Sequence, residues 1–345
     1  MKADERARLW QATGRSVLGA LHERSGRPNQ DAISWLPESG RGLPLVLAVA
    51  DGHGSARYFR SEAGAQLAVS TATQVVRDFL LGQAGTESLS VAKRAAEEWL
   101  PKALVRRWLE AVYEHLAAHP LTQRELELLA AANLPALDQS SPAKLSLADL
   151  SVIYGATLLV AAVAEGFILY LQLGDGEILA VSEKGTVTRP LPQDERLFAN
   201  ETTSLCAPDA WRDFRICFQT VNAAPPALIL LSTDGYSNSF RDDRSFLQVG
   251  SDLLELIRQQ GLRKIKTDLA AWLSESTYAG SGDDATLGLI CHAPAIELDQ
   301  QRASQVQTAQ LDDEEDQKEK EDEEEAQAHS SVQAASADAA AVSEV

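Results

Sequence analysis

Six aspartates and a histidine sit in short, similar surroundings. Asp31 lies in NQDA, Asp51 and His53 in VADGHGS, Asp175 in LGDGE, Asp234 in STDG, and Asp283 with Asp284 in GDDATL. Several follow an apolar run and adjoin a glycine. Carboxylates at strand ends with small neighbours suit a hard divalent cation. Mg2+ and Mn2+ take oxygen ligands, keep several waters and are held by a few carboxylates. A single Asp-Gly pair signals only a turn, whereas the ordered set signals a site. His53 adds an imidazole that can carry a proton near neutral pH.

Other candidate chemistry is weaker. HLAAH sets His115 and His119 on one helix face, but Leu116 stands where a zinc protease needs its glutamate, so an exposed helix end is the better reading. Trp99, Trp108 and Tyr113 read as core packing on an amphipathic helix. Cys206, Cys217 and Cys291 are the only cysteines, odd in number and without CxxC spacing, which argues against a zinc site or a disulfide framework and for a reducing compartment.

The elements that would position the carboxylates follow from periodicity. Segments 16–22, 43–51, 213–221 and 227–235 read as strands, as does ATLGLICHA from Ala285. Segments 61–82, 91–119, about 247–260 and 262–276 carry apolar residues at helical spacing, with Pro101 as a helix break. Thr122 and Glu125 form a capping-box pattern at the start of a shorter helix. Residues 155–189 read as a strand meander with turns at Glu165-Gly166, Gly174–Gly176 and Lys184-Gly185. Runs of strands separated from runs of helices predict an α+β fold.

The chain has 345 residues and a formal net charge of −19, which disfavours nucleic acid or an anionic membrane as partner. Much of the excess lies in the acidic block from Leu311. The stretch from about 300 is too polar to fold alone and is expected to be a disordered tail. The start lacks the apolar core of a signal peptide, and no run is long enough to span a bilayer, so the expectation is a cytoplasmic protein.

The order NQDA, VADGHGS, YGATLL, LGDGE, STDG, GDDATL resembles the type 2C metal-dependent serine/threonine protein phosphatases. GALHERSGRPNQDA and ANETTSLC are similar to a bacterial branch of that family. The resemblance spans roughly residues 14–293. It implies a β-sandwich of two antiparallel sheets flanked by helices on both outer faces, in four αββα layers. The expected organisation is a lead-in at 1–13, a phosphatase domain at 14–299 with a helical segment at about 83–150, and a tail at 300–345.

Residue by residue, the resemblance makes Asp51 the carboxylate bridging two cations, Mn2+ or Mg2+. Gly52 offers its backbone carbonyl, its lack of a side chain leaving that oxygen uncrowded. Asp31, Asp234 and Asp283 complete the metal ligands, and His53 matches the proposed general acid. Arg27, with His22 nearby, stands roughly where the family binds phosphate. Gln30 replaces an acidic residue found in many members, and GDGE replaces the usual GDSR around Asp175, leaving that residue a structural role or a third, weaker metal. The implied activity is hydrolysis of phosphoserine and phosphothreonine in proteins by a metal-activated water, with a partner kinase as a further expectation. The alternative is a catalytically silent relative that recruits partners through its acidic tail.

Overall fold

The computed structural model describes residues 9–83, 88–131, 147–192, 202–221 and 224–294. The expectations for the acidic tail and for the first three residues of ANETTSLC fall outside them. In chain order the elements are β1 (Trp10–Val17), α1 (Ala20–Ser25), β2 (Asp31–Leu36), β3 (Leu45–Asp51), α2 (Ser61–Gly82), α3 (Leu89–Ala118), α4 (Gln123–Ala131) and α5 (Leu147–Ser151). There follow β4 (Leu158–Ala164), β5 (Phe167–Leu173), β6 (Glu177–Val181), β7 (Val187–Thr188), β8 (Arg215–Thr220), β9 (Leu228–Ser232), α6 (Asp234–Ser237), α7 (Asp243–Gln260), α8 (Leu262–Ala279) and β10 (Ala285–His292).

The strands form two sheets, ordered β1-β10-β9-β6-β7 and β2-β3-β4-β5-β8, and their pairings are antiparallel. Strand periodicity explains the layers. Along β3, Leu45, Leu47 and Val49 point between the sheets, while Val46, Ala48 and Ala50 point out toward α2 and α3. Along β9, Ile229 and Leu231 face the inter-sheet core, and Leu228 and Leu230 face α7 and α8. Both faces of each central strand are covered, so these strands read as unbroken apolar runs rather than as alternation. The result is the expected four-layer αββα sandwich.

Small residues let the helical layer come close. Ala65, Ala68 and Ala72 of α2 meet Ala48 and Ala50 of β3. A Cβ on Gly64 would lie 1.8 Å from the Tyr154 carbonyl oxygen, so no side chain fits there. Trp108 is buried and its indole N–H donates to the Gly64 carbonyl at 3.0 Å.

Four expectations are corrected. Residues 16–22 are not one strand: β1 ends at Val17, and α1 follows, closed by Gly26 in the left-handed region at φ 66°. β1 starts at Trp10, inside the segment expected to be a lead-in, and pairs with β10 along its length. Pro101 does not break α3, because Leu100, Leu104, Val105 and Trp108 hold that helix in the core on both sides of it. The 155–189 stretch is not one meander. β4 and β5 form a hairpin in one sheet, and the turn at Gly174–Gly176 carries the chain across to β6 in the other. In addition, Trp99 is exposed, stacking on Phe79 with ring centroids 6.0 Å apart, whereas Trp108 is core.

Candidate metal centre

Each sheet contributes two strand ends to one site. In the first sheet, Asp31 opens β2 and Asp51 closes β3, and the antiparallel register sets them directly opposite each other. In the second, Asp234 follows β9, and Asp283 and Asp284 precede β10. Asp175 lies in the β5–β6 crossover and lines the same cleft, of about 1600 Å3, as Asp51, His53, Asp234 and Asp283.

Asp31 is buried, and its Oδ2 accepts hydrogen bonds from the Thr233 and Thr286 hydroxyls, both at 2.7 Å. These two threonines bring β9 and β10 to the β2 carboxylate and so join the sheets. The Asp51 backbone is pinned from both sides. Its N–H donates to Thr157 Oγ1 at 3.0 Å, and its carbonyl accepts from the Thr157 N–H at 2.8 Å.

Gly52 is needed for a reason other than an uncrowded carbonyl. A Cβ there would sit 2.6 Å from the Ser61 carbonyl oxygen and 2.7 Å from that of Gln30. The glycine lets the β3 tip pass between two backbone segments. Gly235 is similarly confined, since a Cβ would lie 2.1 Å from the Asp284 carbonyl oxygen.

The carboxylates press on one another. Burial raises Asp51 well above the usual carboxylate range, and Asp31, Asp234 and Asp283 push it further. Burial likewise raises Asp31, against the pull of the Thr286 and Thr233 hydroxyls. Asp234 is raised by burial and by Asp175 and Asp283, while its contact with Asp51 pulls the other way. A half-buried cluster of hard oxygen donors with too much negative charge fits divalent cations, which supply the missing positive charge.

His53 is half-buried beside this cluster. Its ring meets Tyr58 edge-on, with centroids 4.7 Å apart, and its backbone N–H donates to the Gly155 carbonyl at 3.1 Å. Gly155 has no room for a Cβ, which would lie 2.7 Å from His53 Cδ2. Burial lowers the imidazole pKa, and Asp175 opposes that shift. Arg27 Nη1 donates to the Gly54 carbonyl at 3.0 Å, which holds the guanidinium at the cleft. Gln30 Nε2 bonds Ser61 Oγ, and its Oε1 is buried without a partner.

His22 lines the same cleft. Both ring nitrogens face carboxylates: Nδ1 is 2.9 Å from Asp284 Oδ2 and Nε2 is 3.6 Å from Asp283 Oδ1. Such a setting suits a cation, not an anion. Sequence reasoning missed Asp284 as a brace. Its Oδ1 accepts from the Gly19 N–H and its Oδ2 from the Gln30 N–H, both at 2.7 Å. It also missed Thr233 and Thr286, although one adjoins Asp234 in STDG and the other lies two residues past Asp284 in DDAT. Arg57, exposed on the cleft, was missed as well.

The HLAAH pair is partly as expected. His119 is exposed, but His115 is half-buried, stacks on His119 at 4.4 Å and shares a hydrogen bond with the Tyr154 hydroxyl at 2.9 Å. The three cysteines are free. Among the described residues no helix is long and apolar enough to cross a membrane.

The αββα sandwich thus brings Asp51 from one sheet and Asp234 and Asp283 from the other to a common cleft, with Asp31 buried opposite Asp51. The chain belongs to the protein phosphatase 2C family, whose sequence profile matches residues 18–274. No curated protein sequence matches it. Among solved structures it is similar to a C. elegans sex-determining protein, with 16% identity over 83% of this chain and 66% of that one, at a TM-score of 0.50. It is also similar to the serine/threonine phosphatase Stp1 from Staphylococcus aureus, with 15% identity over 81% and 94% of the two chains, at 0.44. A third is the catalytic domain of the serine/threonine protein phosphatase PstP in complex with two manganese ions, with 16% identity over 82% and 97%, at 0.44.

Proposed function

We propose that this chain hydrolyses phosphoserine and phosphothreonine in phosphorylated proteins, with two divalent cations, Mn2+ or Mg2+, as cofactors. The observation that carries the reading is the convergence of Asp51, Asp234 and Asp283 from both sheets on one cleft, with Asp31 buried directly opposite Asp51. These carboxylates and the Gly52 carbonyl hold the cations. Bound there, the cations supply Lewis acidity and a water nucleophilic at neutral pH.

The remaining work falls to side chains. Asp51 anchors the centre from the rigid tip of β3. Arg27, braced on the Gly54 carbonyl, directs the phosphoryl group. The serine or threonine leaves as a strongly basic alkoxide and needs a proton, which His53 provides. Tyr58 and Gly155 fix the ring that delivers it. The cleft is wide and open enough for a protein segment rather than a small ester alone. The free cysteines suit a cytoplasmic setting, where a serine/threonine kinase would supply the phosphorylated substrate.

The test is turnover on a panel of phosphoserine and phosphothreonine peptides, with and without Mn2+, for the wild type and Asp234→Ala. Mn2+-dependent release of phosphate by the wild type alone supports the reading. No turnover on any peptide by a Mn2+-loaded protein would favour the silent, partner-recruiting alternative.

A further inference from the structure

His22 is an unusual neighbour for an oxygen-ligand centre. It lies in α1, is 8% exposed and lines the catalytic cleft. Its position is fixed by the segment that carries the last aspartates. The Leu21 N–H donates to the Gly282 carbonyl at 2.7 Å, and the Ala20 N–H donates to Thr277 Oγ1 at 3.1 Å.

The hydrogen bonds around Asp284 define the ring's tautomer. Its Oδ1 accepts from the Gly19 N–H, and its Oδ2 accepts from the Gln30 N–H while facing His22 Nδ1 at 2.9 Å. That places a ring hydrogen on Nδ1, so that the neutral imidazole has its lone pair on Nε2. Nε2 then faces Asp283 Oδ1 at 3.6 Å. This is too long for a hydrogen bond, and a lone pair opposed to a carboxylate oxygen is repulsive. Asp283 Oδ1 keeps capacity for a second partner, since its contact from the Asp284 N–H at 2.9 Å uses one lone pair. A nitrogen and an oxygen bound at roughly 2.1 Å to one ion lie about 3–3.6 Å apart, depending on the angle between them. Asp284 has the place of the carboxylate that commonly orients a metal-bound histidine through its other nitrogen.

We propose that His22 is itself a metal ligand, with Nε2 and Asp283 Oδ1 bound to one cation and Asp284 orienting the ring. The inference rests on the phosphatase reading only in taking Asp283 as a ligand. Its chemical consequence is selectivity. One imidazole among carboxylates shifts the centre from Mg2+ toward a first-row transition dication, because nitrogen is a softer donor.

The experiment loads the full chain with Mn2+ and looks for nitrogen coupling to the ion by pulsed electron paramagnetic resonance, with 15N-histidine labelling as control. The expected result is a histidine signal in the wild type that persists in His53→Gln and vanishes in His22→Gln. Calorimetric Mn2+ affinity should fall about 10–100-fold in His22→Gln, and Mg2+ affinity much less. The wild-type and His53→Gln spectra test the idea even if His22→Gln fails to fold. Mn2+ bound with no nitrogen signal overturns the histidine ligand alone. A protein that binds no Mn2+ overturns the phosphatase reading with it.

Discussion

Asp51→Asn should make the metal-free protein more stable while removing its response to metal. The Asp51 carboxyl is raised by burial and by three neighbouring aspartates, so without cations it is a source of repulsion. A like charge at about 5 Å and an effective dielectric near 20 amounts to roughly 3 kcal/mol. Burial keeps part of that charge neutralised, which leaves about 1–3 kcal/mol to be gained. The backbone bonds to Thr157 do not involve the side chain and survive the change. At about 2–4 °C per kcal/mol for a domain of this size, the chelator-treated variant should melt roughly 2–12 °C above the chelator-treated wild type. With Mn2+ at about 1,000 times its Kd the order reverses, because the wild type gains about 4.1 kcal/mol from binding and the variant gains little. Thermal melts of both proteins, each in chelator and in Mn2+, provide the four values. A variant less stable than wild type in chelator, or one with a wild-type response to Mn2+, would refute the electrostatic account of the cluster.

If His53 donates the proton, His53→Gln should lose most on alkyl phosphates and little on an activated aryl phosphate, and equal losses in kcat would point to a structural role. Gly64→Ala should destabilise by about 3 kcal/mol or more, measured by denaturant unfolding, since its Cβ meets the Tyr154 carbonyl at 1.8 Å. Arg60 holds Glu125 in a two-pronged ion pair, at 2.7 and 3.0 Å, and lowers its pKa to about 2. The folded pKa lies below the unfolded one, so the stabilisation is full above about 4.5 and is lost as pH falls toward 2. Glu125→Gln should therefore cost about 0.5–1 kcal/mol at pH 6, and the gap between the two melting temperatures should narrow below pH 4.5.

What the sequence shows plainly is whatever depends on neighbours in the chain. The α2 boundaries at 61 and 82 follow from apolar spacing alone, and β3 and β9 follow from runs ended by Asp-Gly. Thr122 and Glu125 do bond reciprocally as a capping box. The family resemblance that the motif order carries implies that Asp51, Asp234 and Asp283 meet, and all three line one cleft. What it hid depends on distant partners. The Asp31 clamp joins residues 202 and 255 positions apart, and no local pattern marks it. The β5–β6 crossover is silent because strands covered on both faces look alike in either sheet. In SVLGALH, seven apolar-rich residues suit a strand as well as a turn into a helix. The packing of α1 on the Gly282 turn decides between them.

The pairing of β1 with β10 has a consequence for how the molecule is made. Synthesis runs from the N-terminus, so the first strand leaves the ribosome long before its partner exists. Gly19 and Asp284, which meet through a hydrogen bond, are 265 positions apart. Until β10 emerges, β1 lacks its neighbour, β9 lacks one edge, and Asp31 lacks the Thr286 hydroxyl. Contacts of such long range form late and slowly. A nascent chain that stops short of residue 283 therefore carries three of the four aspartates, but not the strand that brings the two sheets' halves of the centre together. Assembly of the carboxylate cluster is thereby timed to the completion of the sandwich, and a truncated translation product lacks it by construction.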